Sequence, residues 1–179
     1  MYKRMATATS VYTEEPVTGC NRLSNRWVLW AHFPHDTDWS VNSYKKVAIF
    51  DTVESVVAVT ETLPDKLVKN CMLFLMKEGI QPIWEDPLNR EGGCFSYKTH
   101  NKDVCMAWKN LTYAVTGESV TSDIDLLRAV NGITISPKKN FCIIKLWLRN
   151  CLYQNPRTIS IIPGLDPRGC IFKKQTPEY

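Results

Sequence analysis

At 179 residues, 44% hydrophobic and 22% charged, the chain is long enough to bury one well-packed core and short for two, so a single globular domain is expected. A net charge of +4 excludes the lysine-rich profile of a nonspecific nucleic-acid coat, and any anionic partner must be held locally. Seven cysteines, at 20, 71, 94, 105, 142, 151 and 170, form no C-x-x-C pair, and an odd number is a poor disulfide framework, which points to a reducing compartment.

Residues 1–24, mixed and polar, read as a flexible N-terminal arm ahead of one domain over residues 25–179. "MYKRMATATSVYTEEP" lacks the apolar core of a secretory signal and no apolar run reaches the length of a membrane span, so a soluble cytoplasmic or nuclear protein is expected. "NRWVLWAHF" (25–33) and "YKKVAIF" (44–50) favour strands and flank the polar loop "PHDTDWSVNS", which carries Trp39. In "DTVESVVAVTETLP" the Asp51-x-x-Glu54 spacing resembles a capping box and Pro64 supplies a stop, predicting a helix.

"CMLFLMKEG" (71–79) and "GGCFSYKT" (92–99) read as two strands of a long hairpin whose loop holds Trp84 and Glu85 between Pro82 and Pro87. From Lys102 to Gly117 the residues Val104, Ala107, Trp108, Leu111 and Val115 recur at helical spacing, which places Trp108 in the core. A helical turn around "SDIDLLRAV" precedes the strands "GITIS" and "FCIIKLWLR", joined by "PKKN"; "TISII" is a further strand, followed by a Pro/Gly-rich tail. Strands interrupted by two longer helices give the α+β class, an antiparallel or mixed sheet with its helices on one face and the other face free to bind.

The sequence contains no G-x-S-x-G elbow, Walker loop, dinucleotide fingerprint or H-E-x-x-H. His32, His35 and His100 offer one His-x-x-His spacing without a second ligand pair, so neither a metal nor a cofactor is expected. Six tryptophans stand out instead. Trp27, Trp30 and Trp108 sit on periodic apolar faces, whereas Trp39 and Trp84 fall in two loops beside polar or acidic neighbours. A loop indole is either a structural plug or a platform whose π face stacks on a flat ligand while a nearby carboxylate reads the ligand's edge.

"NRWVLWAHF", "DTDWSVN", "FDTVES", "KEGIQPIWEDPLNREGG" and "TGES" after a Trp-containing helix, in that order, resemble the messenger-RNA cap-binding translation initiation factor 4E family from about residue 25 to 147. The resemblance implies a curved, mainly antiparallel sheet with helices on its convex face and cap-binding loops on the concave side. It also implies translation initiation without catalysis. Trp39 and Trp84 match the two positions that sandwich 7-methylguanine, and Glu85 matches the acceptor of the base's N1 and N2 protons. Trp147 matches the tryptophan packed near the N7 methyl group, and its reading as a strand core residue stands beside that role.

Three departures shape the expectation. The family's phosphate-binding arginines and lysine appear as Cys94, Ser136 and Ile143, so the phosphates must be met by Lys145 and Arg149, on the strand face of Trp147, or by Lys138 and Lys139 in the preceding loop. On the dorsal face that binds a helical motif of scaffold partners such as initiation factor 4G, Val53 and Glu54 fit the family. Val57 replaces a tryptophan, Lys109 and Asn110 replace a Leu-Glu pair, and Tyr113 shares the face. A lysine in an apolar groove predicts weakened binding of ordinary scaffolds and a specialised partner. Finally, the stretch from Trp147 to Ile162 leaves no room for the family's additional long helix. The resulting expectation is a short, divergent cap reader, monomeric within a heteromeric complex and not attached to membrane. The alternatives are a repressor or storage factor with the same pocket and a cap-processing hydrolase using Glu85, Asp86 or Glu91.

Overall fold

The structure, a computed structural model, describes residues 19–175. Seven antiparallel strands form one sheet in the order β2-β1-β3-β5-β6-β4-β7: β1 Arg22–His32, β2 Lys45–Thr52, β3 Met72–Lys77, β4 Gly93–His100, β5 Val130–Pro137, β6 Phe141–Leu148 and β7 Ile171–Lys174. Four helices accompany it: α1 Val53–Thr62, α2 Asp65–Asn70, α3 Val104–Thr116 and α4 Ile124–Ala129. No described helix is long and apolar enough to cross a membrane.

Side chains alternate across a strand, so each strand here contributes to two apolar layers. Trp27, Leu29 and Ala31 of β1, Leu73 and Leu75 of β3, Ile133 and Ile135 of β5 and Ile144, Leu146 and Leu148 of β6 face the helices. There they pack with Val56, Val68, Ala107, Trp108 and Leu111. The intervening residues Phe74, Met76, Cys94 and Trp147 form a smaller cluster on the opposite face with Tyr44 and Ile80, flanked by Trp30, Met72 and Ile83. The helices cover one face, and loops only partly cover the other.

Four expectations are corrected. The strands β3 and β4 are not a hairpin, because β3 pairs with β1 and β5 while β4 pairs with β6 and β7, leaving the 78–92 loop to cross between non-neighbouring strands. The cap of α1 is one residue on from the expected pair: Thr52 and Ser55 bond reciprocally, and Asp51 instead pairs with Arg22 at 3.0 Å. "TISII" is no strand; Ile159 and Ile162 bury into the helix-side core, and the segment is held over α3 by Ser160 N donating to Val120 O and Asn110 donating to Pro163 O. Ordered strand begins at Arg22, inside the expected arm, because Arg22 pairs across to Thr52; residues 1–18 lie outside the described residues.

Two further elements went unread. The helix α2 is too short for its periodicity to register, and β7 lies in the Pro/Gly-rich tail. No α-helix occurs between Trp147 and Ile162, where the chain makes only a 3-10 turn at Pro156–Thr158.

The pairing of β5 with β6 carries one irregularity. Val130 faces Leu148 and Gly132 faces Trp147, so Asn131 is an extra residue in β5, a bulge that turns its side chain out of the ladder. Beside it, a Cβ on Gly132 would run into the Leu75 carbonyl and Met76 of β3. Gly132→Ala is therefore expected to lower stability by about 1–3 kcal/mol, measured as a shift in the urea unfolding midpoint at unchanged slope.

Candidate functional site

On the face away from the helices lies an open cleft of about 480 Å³. Its floor is sheet, with Phe74, Cys94, Lys145 and Trp147, and its walls are loops carrying Trp39 on one side and Ile83, Trp84 and Glu85 on the other. The two loop indoles thus line one cavity. They are 56% and 39% exposed, which decides against both being structural plugs.

Trp39 is held by its own short loop. Asp36 and Asp38 accept from the backbone two residues ahead, at 3.0 and 2.8 Å, and the Ser40 hydroxyl adds a third bond at 2.9 Å. These Ser40 contacts hold the Asp38 carboxyl below its ordinary range. The indole lies flat on His32, with centroids 4.1 Å apart and planes within 4°, and leaves its other face to the cleft.

The Trp84 loop is rigid for a different reason. Gly79, at a φ of +86° that favours glycine, turns the chain out of β3. Buried Asp86 then accepts from Gln81 N at 2.9 Å and Leu88 N at 2.8 Å. Buried Asn89 donates to the Gln81 and Ile83 carbonyls at 3.0 and 2.8 Å, and the bulge residue Asn131 donates to Leu88 O and to Asn89 Oδ1 at 2.6 and 3.0 Å. Three buried polar side chains thereby satisfy the loop backbone and fix the segment that presents Trp84 and Glu85. Glu85 is exposed, and its charge reaches Tyr44, whose pKa is pushed up to about 12, first by burial and then by the Glu85 carboxylate.

Trp147 is buried in the cleft floor and donates from Nε1 to Thr134 Oγ1 at 3.0 Å, a strand core residue that also lines the cleft. Lys145 shares its face, as the strand periodicity predicts. Arg149 does not. The strand β6 ends at Leu148, Arg149 N bonds to Ala129 O, and its side chain lines a separate pocket with Lys77, Glu118 and Arg128. Lys138 and Lys139 sit in the β5–β6 turn, closed by Lys138 N donating to Phe141 O, at the end of β6 remote from Trp147, and do not line the cleft. The unread strand β7 supplies cations instead: Lys173 pairs in register with Cys94, and Lys173, Lys174 and Gln175 complete the lining. Among the described residues Lys145, Lys173 and Lys174 have no ion-pair partner. No local motif announces Lys173, because only the β4–β7 pairing brings it here.

Across the sheet, Val53 and Val57 are exposed and, with Leu23, Val56, Tyr113 and Thr116, line an apolar groove of about 420 Å³ between α1 and α3. Two expected features differ. Glu54 is on this face, but its carboxylate accepts from the backbone and side-chain amides of Asn21 at 2.9 to 3.2 Å and anchors the entry to β1. Lys109 is no lone cation in an apolar groove: it pairs with Glu61, which also accepts from Tyr113 at 2.7 Å, and it lines the adjacent cleft with Met106 and Cys105. The Lys109 and Tyr113 donors hold the Glu61 carboxyl below its usual range.

The sequence model described as Eukaryotic initiation factor 4E matches residues 22–164. The chain belongs to the initiation factor 4E family. Among curated relatives, a rice translation initiation factor NCBP is 34% identical over 74% of this chain and 59% of its own length, and an initiation factor 4E homologue of Acanthamoeba polyphaga mimivirus is 27% identical over 64% and 50%. The chain thus spans about half to three-fifths of the length of these two relatives. Among solved structures, Ascaris suum eIF4E-3 in complex with an m7G cap aligns with a TM-score of 0.67 at 27% identity, covering 75% of this chain and 76% of that one. The eIF4E-3 of C. elegans, in complex with the 4E-binding protein Mextli, aligns at 0.66 and 25%, covering 74% and 78%.

The Asn89 network makes a prediction of its own. Asn89→Ala removes the buried amide that serves the Gln81 and Ile83 carbonyls and the acceptor of the Asn131 amide, so it is expected to cost about 1–3 kcal/mol of stability. Hydrogen exchange should accelerate at the amides of residues 81–90 before the sheet is affected.

Proposed function

We propose that the cleft binds the 7-methylguanosine cap of messenger RNA and that the opposite, helical face engages a partner that brings the capped RNA to translation initiation. The observation that carries this reading is the convergence of two exposed loop indoles, Trp39 and Trp84, with the Glu85 carboxylate, on one cleft. A 7-methylguanine ring is flat and cationic, so an indole on each side supplies dispersion and cation–π attraction together, about 2 kcal/mol or more once water is excluded. Glu85, acceptor-only when ionised, suits the two adjacent N–H donors on guanine's edge. The capped complexes of related chains support the same ligand.

The triphosphate falls to Lys145 from the cleft floor and to Lys173 and Lys174 from β7, three cations that have no carboxylate partner among the described residues. They take the place of the family's missing clamp. Nothing in this mechanism is catalytic. Asp86, the carboxylate next to Glu85, is buried and already accepts two backbone N–H groups. The partner reading rests on the apolar groove at Val53 and Val57; related chains are seen with Mextli and 4E-BP. Val57 and the Glu61–Lys109–Tyr113 cluster alter that surface, which favours a partner with its own complementary helix. Such work belongs in the cytoplasm, where messenger RNA is translated.

Calorimetric titration with 7-methylguanosine triphosphate tests the ligand. Trp39→Ala or Trp84→Ala should each weaken binding by about 1–3 kcal/mol, and unmethylated guanosine triphosphate should bind far less well. Glu85→Gln should also bind more weakly with folding intact. Equal affinity for methylated and unmethylated ligand would overturn the cation–π account.

The clamp is tested by salt. Lys145→Ala and Lys173→Ala should each reduce affinity for the triphosphate more than for the 7-methyl nucleoside and flatten the salt dependence. Lys138→Ala with Lys139→Ala should leave both nearly unchanged. The opposite ranking would put the phosphates at the β5–β6 turn.

A further inference from the structure

The imidazole beneath Trp39 has no part in the reading so far. His32 is the last residue of β1, 2% exposed, and its ring is parallel to the indole at 4.1 Å. It also meets Tyr44 edge-on at 5.1 Å. Its Nε2 lies 2.8 Å from the Asp38 carbonyl oxygen, an acceptor only, so Nε2 carries a proton and the bond ties the ring to the residue just before Trp39. One side chain therefore both underlies the indole and holds the loop that carries it.

We infer that His32 is a positioning residue of the cap site, the outermost ring of a stack running His32, Trp39, cap base and Trp84, and that the stack works with the imidazole neutral. The inference rests on the cap-binding reading. A neutral ring backs the indole with dispersion and leaves its electron-rich free face to the cationic base. A protonated ring would occupy the other face of the same indole as a competing cation. With His32 one stacking distance behind Trp39 and the base one in front, the two charges would stand about 8 Å apart across a partly dry site, enough for a roughly tenfold loss of affinity. The site would then release its ligand as pH falls through the protonation of His32.

The charged and titratable groups around this ring are few. From the loop, the Asp38 carboxylate feels both His32 and Lys45. Ahead of β2, Tyr44 meets the ring edge and feels Glu85. From β3 the register partner is Met72, which carries no charge.

Calorimetry with 7-methylguanosine triphosphate on the wild-type chain, His32→Phe and His32→Ala, at about pH 8 and about pH 5.5, tests the inference. Protonation of the ligand itself cancels when the wild type and His32→Phe are compared at one pH. At the higher pH His32→Phe, which keeps a stacked ring but loses the bond to the Asp38 carbonyl, should bind a few-fold more weakly than the wild type, and His32→Ala, which loses both, about tenfold more weakly or worse. Between the higher and the lower pH the wild-type to His32→Phe affinity ratio should fall about tenfold. A wild-type to His32→Phe ratio equal at both pH values, or full affinity in His32→Ala, would overturn the role of His32 while leaving cap binding intact; absence of wild-type binding at the higher pH would overturn both. A variant-free readout follows from linkage: the pH at which the His32 ring resonances change in NMR spectra must move down when ligand is bound. An unmoved midpoint would refute the coupling.

Discussion

A β-strand presents its side chains alternately to two sides, and in a sheet whose interior strands are apolar on both, each side must be covered or used. Here one apolar layer is closed by α1 to α4. The other is too small to hold a helix layer: Phe74, Met76, Cys94 and Trp147 make a floor, and only Tyr44, Ile80 and the loop residues lean over it. A cleft between loops is the consequence, and the two exposed indoles sit at its rim because the rest of that layer is already buried.

Loops that carry a binding site lose affinity if they must be ordered when ligand arrives. Both loops avoid that cost by means of polar side chains. Around Trp39 the bonds are local, made by Asp36, Asp38 and Ser40 to their own turns, with His32 reaching in from the sheet. Around Trp84 they are long-range. Asn131 reaches the loop only because a bulge in β5 rotates it out of the ladder, and the bulge packs against β3 only because residue 132 is glycine. A backbone irregularity in mid-sheet thus positions a ligand-facing indole more than forty residues earlier in the chain.

The two faces also divide the charge. Among the described residues Lys145, Lys173 and Lys174 have no carboxylate partner in the cleft, while on the helical side Glu61, Lys109 and Tyr113 satisfy one another beside an apolar groove. Unpaired cations in a concave site attract an anion; mutually paired charges at a groove's edge admit an apolar partner without leaving a buried charge uncompensated. The proposed cap cleft and the proposed partner groove therefore lie on opposite surfaces, and their occupants would not compete.

Local pattern determined much of this protein. Period-two and helical spacing located β1 to β6, α1 and α3 to within a few residues, and placed Trp39, Trp84 and Glu85 in loops while leaving plug and platform both open. The family resemblance assigned them roles and implied the curved sheet. Tertiary structure decided what no local signal encodes. That β3 and β4 are separated by β5 and β6 is a matter of which edges pair, and the 78–92 loop gave no sign of it. Arg149 leaves the cleft because β6 stops one residue short of it, and Lys173 enters because a four-residue edge strand docks on β4. Glu54 and Lys109 change meaning for the same reason. Their partners, Asn21 and Glu61, are 33 and 48 residues away, and a charge is free or engaged only according to what folding brings beside it.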